Sequence, residues 1–201
     1  MSYSVSLANV DLTVICDKSG SMSRPDTPSK KSRWLFMQEY VGALVTELGA
    51  HDRDGIDLVI FDDQFAVSEG VTPDSIFAVF DNYKPSNGTV LVPPLQWAFN
   101  KAQKKWGDKQ QLILVITDGE PQDREAVASA IIDFTKSMED DSQLAITFLQ
   151  VGGDSEAARF LTGLDDALQS RGAKFDIVDT GKLEDLCKLS LQELVDKTFN
   201  D

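Results

Sequence analysis

Val10-Asp11-Leu12-Thr13-Val14-Ile15-Cys16, followed at once by Asp17-Lys18-Ser19-Gly20-Ser21, is the stretch on which the fold turns. The first seven residues are apolar or β-branched at nearly every position, so they read as a strand buried on both faces. The next five are small, polar and turn-forming, with Asp17 and Gly20 ending the strand. A second stretch repeats the pattern. Gln111–Ile116 is an apolar strand that stops at Thr117-Asp118-Gly119.

Strands and helices alternate outward from these two segments. Trp34, Met37, Val41, Leu44, Val45 and Leu48 fall at helical spacing and predict a helix over 33–49. Ile56–Phe61 is a strand, and Phe65–Val67 after the tight Asp62-Asp63-Gln64 turn is a short antiparallel edge. Pro73–Phe80 forms a short helix and Tyr83–Val90 a loop. Pro93 and Pro94 suit the first turn of a helix running to about Lys105. Asp123 caps a helix carrying Val127, Ala130, Ile131, Phe134 and Met138. Leu144–Val151 is a strand, a helix through Ala157, Phe160, Leu161, Leu164 and Leu168 follows, and Phe175–Val178 is the last strand. A closing helix spans about 182–198. This order predicts an α/β, doubly wound, Rossmann-like domain over 1–201. Its mostly parallel six-stranded sheet has one antiparallel edge and six or seven helices on both faces.

Composition narrows the function. The chain has 201 residues, 42% hydrophobic and 26% charged, enough for an ordinary core. Lys plus Arg number 19 against 33 Asp plus Glu, a net charge of −14, which disfavours phosphate backbones and anionic membranes and favours divalent cations and basic partners. Neither nucleic acid nor membrane is expected as a partner. Cys16 and Cys187 lack companions at metal spacing and read as buried free thiols in a reducing compartment. Met1–Leu7 has no basic region or long apolar run, so no signal peptide is expected and the cytoplasm is the expected location.

In an open α/β sheet, ligands bind beyond the carboxyl ends of the strands, where strand order reverses. If the strands at 10–16 and 111–116 are neighbours there, their loops share one crevice lined by two carboxylates and several hydroxyls. Asn87-Gly88-Thr89 can supply a third edge. An all-oxygen cluster suits a hard cation, Mg²⁺ foremost, with Mn²⁺ or Ca²⁺ as alternatives. Ser19 and Ser21 are two apart, so both hydroxyls can face one way in an extended turn. Gly20 between them relaxes the backbone. Two neutral hydroxyls leave an ion strongly electropositive, and Asp17 and Asp118 then serve better as charges that hold its waters.

Asp17-x-Ser19-x-Ser21-Met22, Gly88-Thr89 and Thr117-Asp118-Gly119, in that order, resemble the metal-ion-dependent adhesion site of von Willebrand factor A domains. The resemblance covers nearly the whole chain and gives five metal-site positions: Asp17, Ser19, Ser21, Thr89 and Asp118. It implies that Ser19 and Ser21 bind the cation directly and that Thr89 joins in the high-affinity state. Asp17 and Asp118 then act mainly through water, and a partner protein's exposed Asp or Glu carboxylate fills the open position. It implies no catalytic residue, and in some members ligation moves the last helix. Phe160-Leu161-Thr162-Gly163-Leu164-Asp165-Asp166 and Phe175-Asp176-Ile177-Val178 are similar to bacterial stand-alone A domains, some encoded near tellurite-resistance genes. Such domains often work beside AAA+ ATPases or in metal-stress systems.

A competing enzyme reading makes Asp17 the nucleophile of a Mg²⁺-dependent phosphohydrolase or phosphotransferase. The haloacid-dehalogenase pattern wants a second Asp where Ser19 stands, and receiver-type acidic pairs are missing. Other features have plainer readings. Asp62-Asp63 is a hairpin turn rather than a second cation site, and Glu120 a helix-start residue. Gly152-Gly153-Asp154-Ser155 is a strand-to-helix turn, His51 a solvated residue near a helix end. Trp97, Phe99 and Trp106 are helix packing and rim rather than a stacking platform. Arg24, Lys30, Lys31 and Arg33, in an insert stiffened by Pro25 and Pro28, either steer an acidic partner from the metal rim or merely balance charge.

Overall fold

The computed structural model describes residues 4–51, 53–119 and 121–200. Six strands form one sheet: β1 (Val10–Asp17), β2 (Ile56–Phe61), β3 (Phe65–Val71), β4 (Gln110–Thr117), β5 (Leu144–Gln150) and β6 (Val178–Lys182). Their order is β3-β2-β1-β4-β5-β6, with β3 antiparallel at one edge and all other pairs parallel. The central strands are mostly apolar because both faces are covered.

Alternate side chains feed two cores. Leu12, Val14 and Cys16 of β1, with Leu112, Leu114 and Ile116 of β4, pack under α1 (Arg33–Leu48), α2 (Ile76–Phe80), α6 (Leu183–Leu186) and α7 (Leu191–Phe199). Ile15, Ile113, Val115, Ile146 and Phe148 face the opposite layer of α3 (Val92–Lys104), α4 (Arg124–Thr135) and α5 (Ser155–Ala167). Phe99 of α3 stacks on Phe134 of α4 at 4.2 Å between centroids, a packing role as expected from sequence. The sheet is doubly wound, and β1 and β4 lie side by side where the strand order reverses. Among the described residues, no helix is long and apolar enough to cross a membrane.

Three expectations are corrected. The last strand is Val178–Lys182, not Phe175–Val178. Lys174 is pinned to the end of α4, its amide donating to Thr135 Oγ1 at 2.9 Å and its ammonium to the Met138 carbonyl at 2.6 Å. Pairing with β5 therefore starts only where Ile146 N–H meets the Ile177 carbonyl, at 2.7 Å. The closing helix is two helices. Ser190 starts α7 with a capping box, its hydroxyl accepting from Glu193 N–H while the Glu193 carboxylate accepts from Ser190 N–H. Cys187 falls in the break between them and is exposed, whereas Cys16 is buried. Two smaller differences are that β3 runs on to Val71 and that α2 begins only at Ile76.

Candidate metal centre

β1 ends on Asp17 and delivers Ser19 and Ser21 through a single 3-10 turn, Gly20–Ser23. Met22, in the middle of that turn, is wholly buried in the first core and pins the loop to the sheet. The Asn87 carbonyl accepts from Gly20 N–H at 3.2 Å, which seats the Thr89 loop beside the serines. Gly20 lies outside the left-handed region, and a Cβ there would make only ordinary contact, so the turn does not depend on a glycine. Gly88 is different: a Cβ would collide with Gln122 Nε2 and the Asp63 carboxylate.

The hydroxyls and carboxylates converge. Ser19 Oγ and Ser21 Oγ are 3.1 Å apart, and Ser21 Oγ donates to Asp118 Oδ1 at 2.7 Å. Asp17 has no exposed surface, and both its oxygens are engaged. Oδ1 accepts from Ser19 N–H at 2.6 Å and Oδ2 from Thr117 Oγ1 at 2.6 Å. Burial raises the Asp17 pKa to about 6, with the Asp118 charge adding and the Thr117 and Ser19 hydrogen bonds opposing. Asp17, Ser19 and Asp118 are buried, and Ser21 and Thr89 are half-buried. The hydrogen bonds of the described residues tie Thr89 in through its carbonyl, which accepts from Gln122 N–H at 3.0 Å.

The donor set fits a hard divalent cation: two carboxylates and converging hydroxyls, with no nitrogen or sulfur. Among the described residues no three His, Cys, Asp or Glu side chains cluster as a metal group, so any centre here must draw on hydroxyl oxygens.

Sequence reasoning missed two neighbours of the cup. Thr117 orients Asp17. Arg33, grouped with the loop cations, is instead 3% exposed and donates Nη1–H to Asp118 Oδ2 at 2.9 Å. Its other nitrogens form a fork to Asp26, Nε to Oδ1 at 2.8 Å and Nη2 to Oδ2 at 2.6 Å. Arg33 is thus no rim charge. Its position at the start of α1 puts it beneath the loop, not on it. Arg24, Lys30 and Lys31 are exposed, and Lys31 pairs with Glu39.

The plainer readings fare well. Asp62 turns the β2–β3 hairpin, accepting from Gln64 N–H at 3.0 Å, and is ion-paired to Lys18. Asp154 caps α5 by accepting from the N–H groups of Glu156 and Ala157. His51 is exposed just past α1. Glu120 lies outside the described residues.

The family model for the von Willebrand factor type A domain matches residues 12–121, from the third residue of β1 past the Asp118 loop. The chain belongs to the von Willebrand factor type A domain family. No curated protein matches it in sequence. Solved structures share the fold at low identity. A von Willebrand factor type A protein from Catenulispora acidiphila is 16% identical with a TM-score of 0.64, over 95% of this chain and 42% of that one. Manganese-loaded Plasmodium vivax TRAP protein is 16% identical with a TM-score of 0.60, over 92% and 73%. Mussel byssus proximal thread matrix protein 1, with a zinc-occupied MIDAS motif, is 16% identical with a TM-score of 0.56, over 94% and 47%. This A domain chain therefore spans less than half the length of two of the three.

Proposed function

We propose that the chain is a single, non-catalytic A domain that binds a partner protein through a divalent cation. Ser19 and Ser21 hold the ion directly, Thr89 joins them when the partner engages, and Asp17 and Asp118 supply charge and hold water. The ion, Mg²⁺ or alternatively Mn²⁺ or Ca²⁺, offers its remaining position to an Asp or Glu carboxylate. The observation that carries this reading is the Ser19–Ser21–Asp118 chain of hydroxyl and carboxylate oxygens at the β1–β4 switch point. The metal-loaded neighbours from Plasmodium and mussel byssus support it by fold. A carboxylate that completes a dication's shell gains a directional bond that an exposed ion pair lacks.

Asp17 is a poor nucleophile in this setting. It has no exposed surface and both oxygens accept hydrogen bonds. That favours an interaction module over the phosphohydrolase reading. In the cytoplasm, a component of an AAA+ ATPase or metal-stress system fits as partner.

Titration calorimetry with Mg²⁺ and Mn²⁺, and capture of partners with and without EDTA, test the proposal. Saturable uptake lost in Ser19→Ala, Ser21→Ala and Asp118→Ala, with partner capture abolished by EDTA, is the expected result. Turnover of phosphoesters abolished by Asp17→Asn would overturn it.

A further inference from the structure

We propose that Arg33 is a resident positive charge of the cup, balancing Asp118 in the absence of a cation and so loosening the cup's hold on a divalent ion. This rests on the metal-centre reading given above.

A guanidinium 3% exposed is costly to bury unless its N–H groups are paired. Here three of them are paired, one to Asp118 and two to Asp26. The position is built from the other side as well. Gly152, just beyond the end of β5, has φ +81°, and a Cβ there would lie 2.5–2.6 Å from Arg33 Cζ, Nε and Nη2. The missing side chain is the room the guanidinium occupies.

The charges then decide what Arg33 does. Asp17 and Asp118 are buried carboxylates on neighbouring strand ends, and the Asp118 charge disfavours ionisation of Asp17. Asp26 takes the guanidinium fork, but its side chain is 47% exposed, so water screens its charge. Asp118 is 1% exposed and feels Arg33 through protein. Arg33 therefore stabilises the cup without a dication and repels a dication that enters. By linkage, whatever favours the ion-free state weakens ion binding. The bound ion also keeps more of its positive field for an incoming carboxylate.

The test is calorimetric Mn²⁺ affinity, with melting in EDTA, for the wild-type chain, Arg33→Gln, Arg33→Lys and Asp26→Asn. Arg33→Gln should bind Mn²⁺ about threefold or more tightly and melt lower in EDTA. Arg33→Lys, which keeps the charge, should return to the wild-type affinity. Asp26→Asn unmasks the guanidinium and should bind about twofold more weakly. A role in folding alone would weaken binding in every variant. Unchanged or weaker binding in Arg33→Gln, or Arg33→Lys as tight as Arg33→Gln, overturns the proposal. If Arg33→Gln does not fold, Asp26→Asn decides, and unchanged or tighter binding there overturns it. A wild-type chain that takes up no Mn²⁺ overturns the metal-centre reading itself.

Discussion

At the scale of single residues, the centre is defined by who satisfies Asp17. Its buried carboxylate is stabilised by one hydroxyl and one amide, yet burial still raises its pKa to about 6. Carrying that charge without a cation costs the fold stability. Asp17→Asn keeps the shape and removes the charge, and Thr117 Oγ1 can rotate to face either amide atom. In EDTA at neutral pH this variant is expected to be more stable than the wild type by roughly 1–3 kcal/mol, while losing divalent affinity. Denaturant unfolding in EDTA and in Mg²⁺ reads both effects, and a less stable variant in EDTA contradicts this account. Thr117→Val acts in the opposite sense. It leaves Asp17 Oδ2 without its donor and should cost about 1–3 kcal/mol. Asp17 and Asp118 were legible in the sequence because strand-ending Asp next to Ser, Gly or Thr is a local pattern. Arg33 was not, since its partner Asp118 is 85 positions away and nothing local separates it from Arg24, Lys30 or Lys31.

At the scale of elements, the same contrast between local and distant causes recurs. β1, β2, β4 and β5 were legible because each carries a continuous apolar run that needs no partner to be recognised. β6, with the sequence Val-Asp-Thr-Gly-Lys, is a strand only because β5 offers it a ladder. The break before α7 is set by Ser190 and Glu193 against a stripe of leucines that continues through it. Ser190→Ala should therefore fray α7 and cost about 1 kcal/mol, seen as faster amide exchange confined to its first turn. The β2–β3 hairpin carries its own pH dependence. Burial alone would raise the Asp62 pKa. Hydrogen bonds from Lys18, Gln64 N–H and Asn87, with the Lys18 charge, outweigh it and hold the pKa at about 2, against 3.8 in the unfolded chain. A carboxylate with a depressed folded pKa contributes its full stabilisation above 3.8 and loses it as pH falls toward 2. Asp62→Asn should flatten that part of the acid-unfolding curve, and a curve unchanged between pH 4 and 2 would show that Lys18 does not hold the hairpin.

At the scale of the whole molecule, the cup closes three chain segments that are far apart in sequence, at 17–21, 87–89 and 117–118. An ion that binds only when all three are in place must stabilise the entire fold by mass action. At a free concentration one hundred times its dissociation constant, the gain is about 2.7 kcal/mol. For a chain of this size each kcal/mol raises the melting temperature by about 2–4 °C, so saturating Mg²⁺ or Mn²⁺ is expected to raise it by roughly 5–11 °C. The chain's charge of −14 makes a second contribution to any such shift, because cations at millimolar concentration also screen self-repulsion. The two separate cleanly. Screening depends on ionic strength and is nearly the same for Ser21→Ala as for the wild type, since the net charge is unchanged. Binding at the proposed site should persist at high NaCl and vanish in Ser21→Ala. Melting curves for both chains, with and without divalent ion in a fixed high-salt buffer, therefore isolate the bound ion. An equal shift in the two would assign the whole effect to surface charge and remove the cation from the β1–β4 crevice.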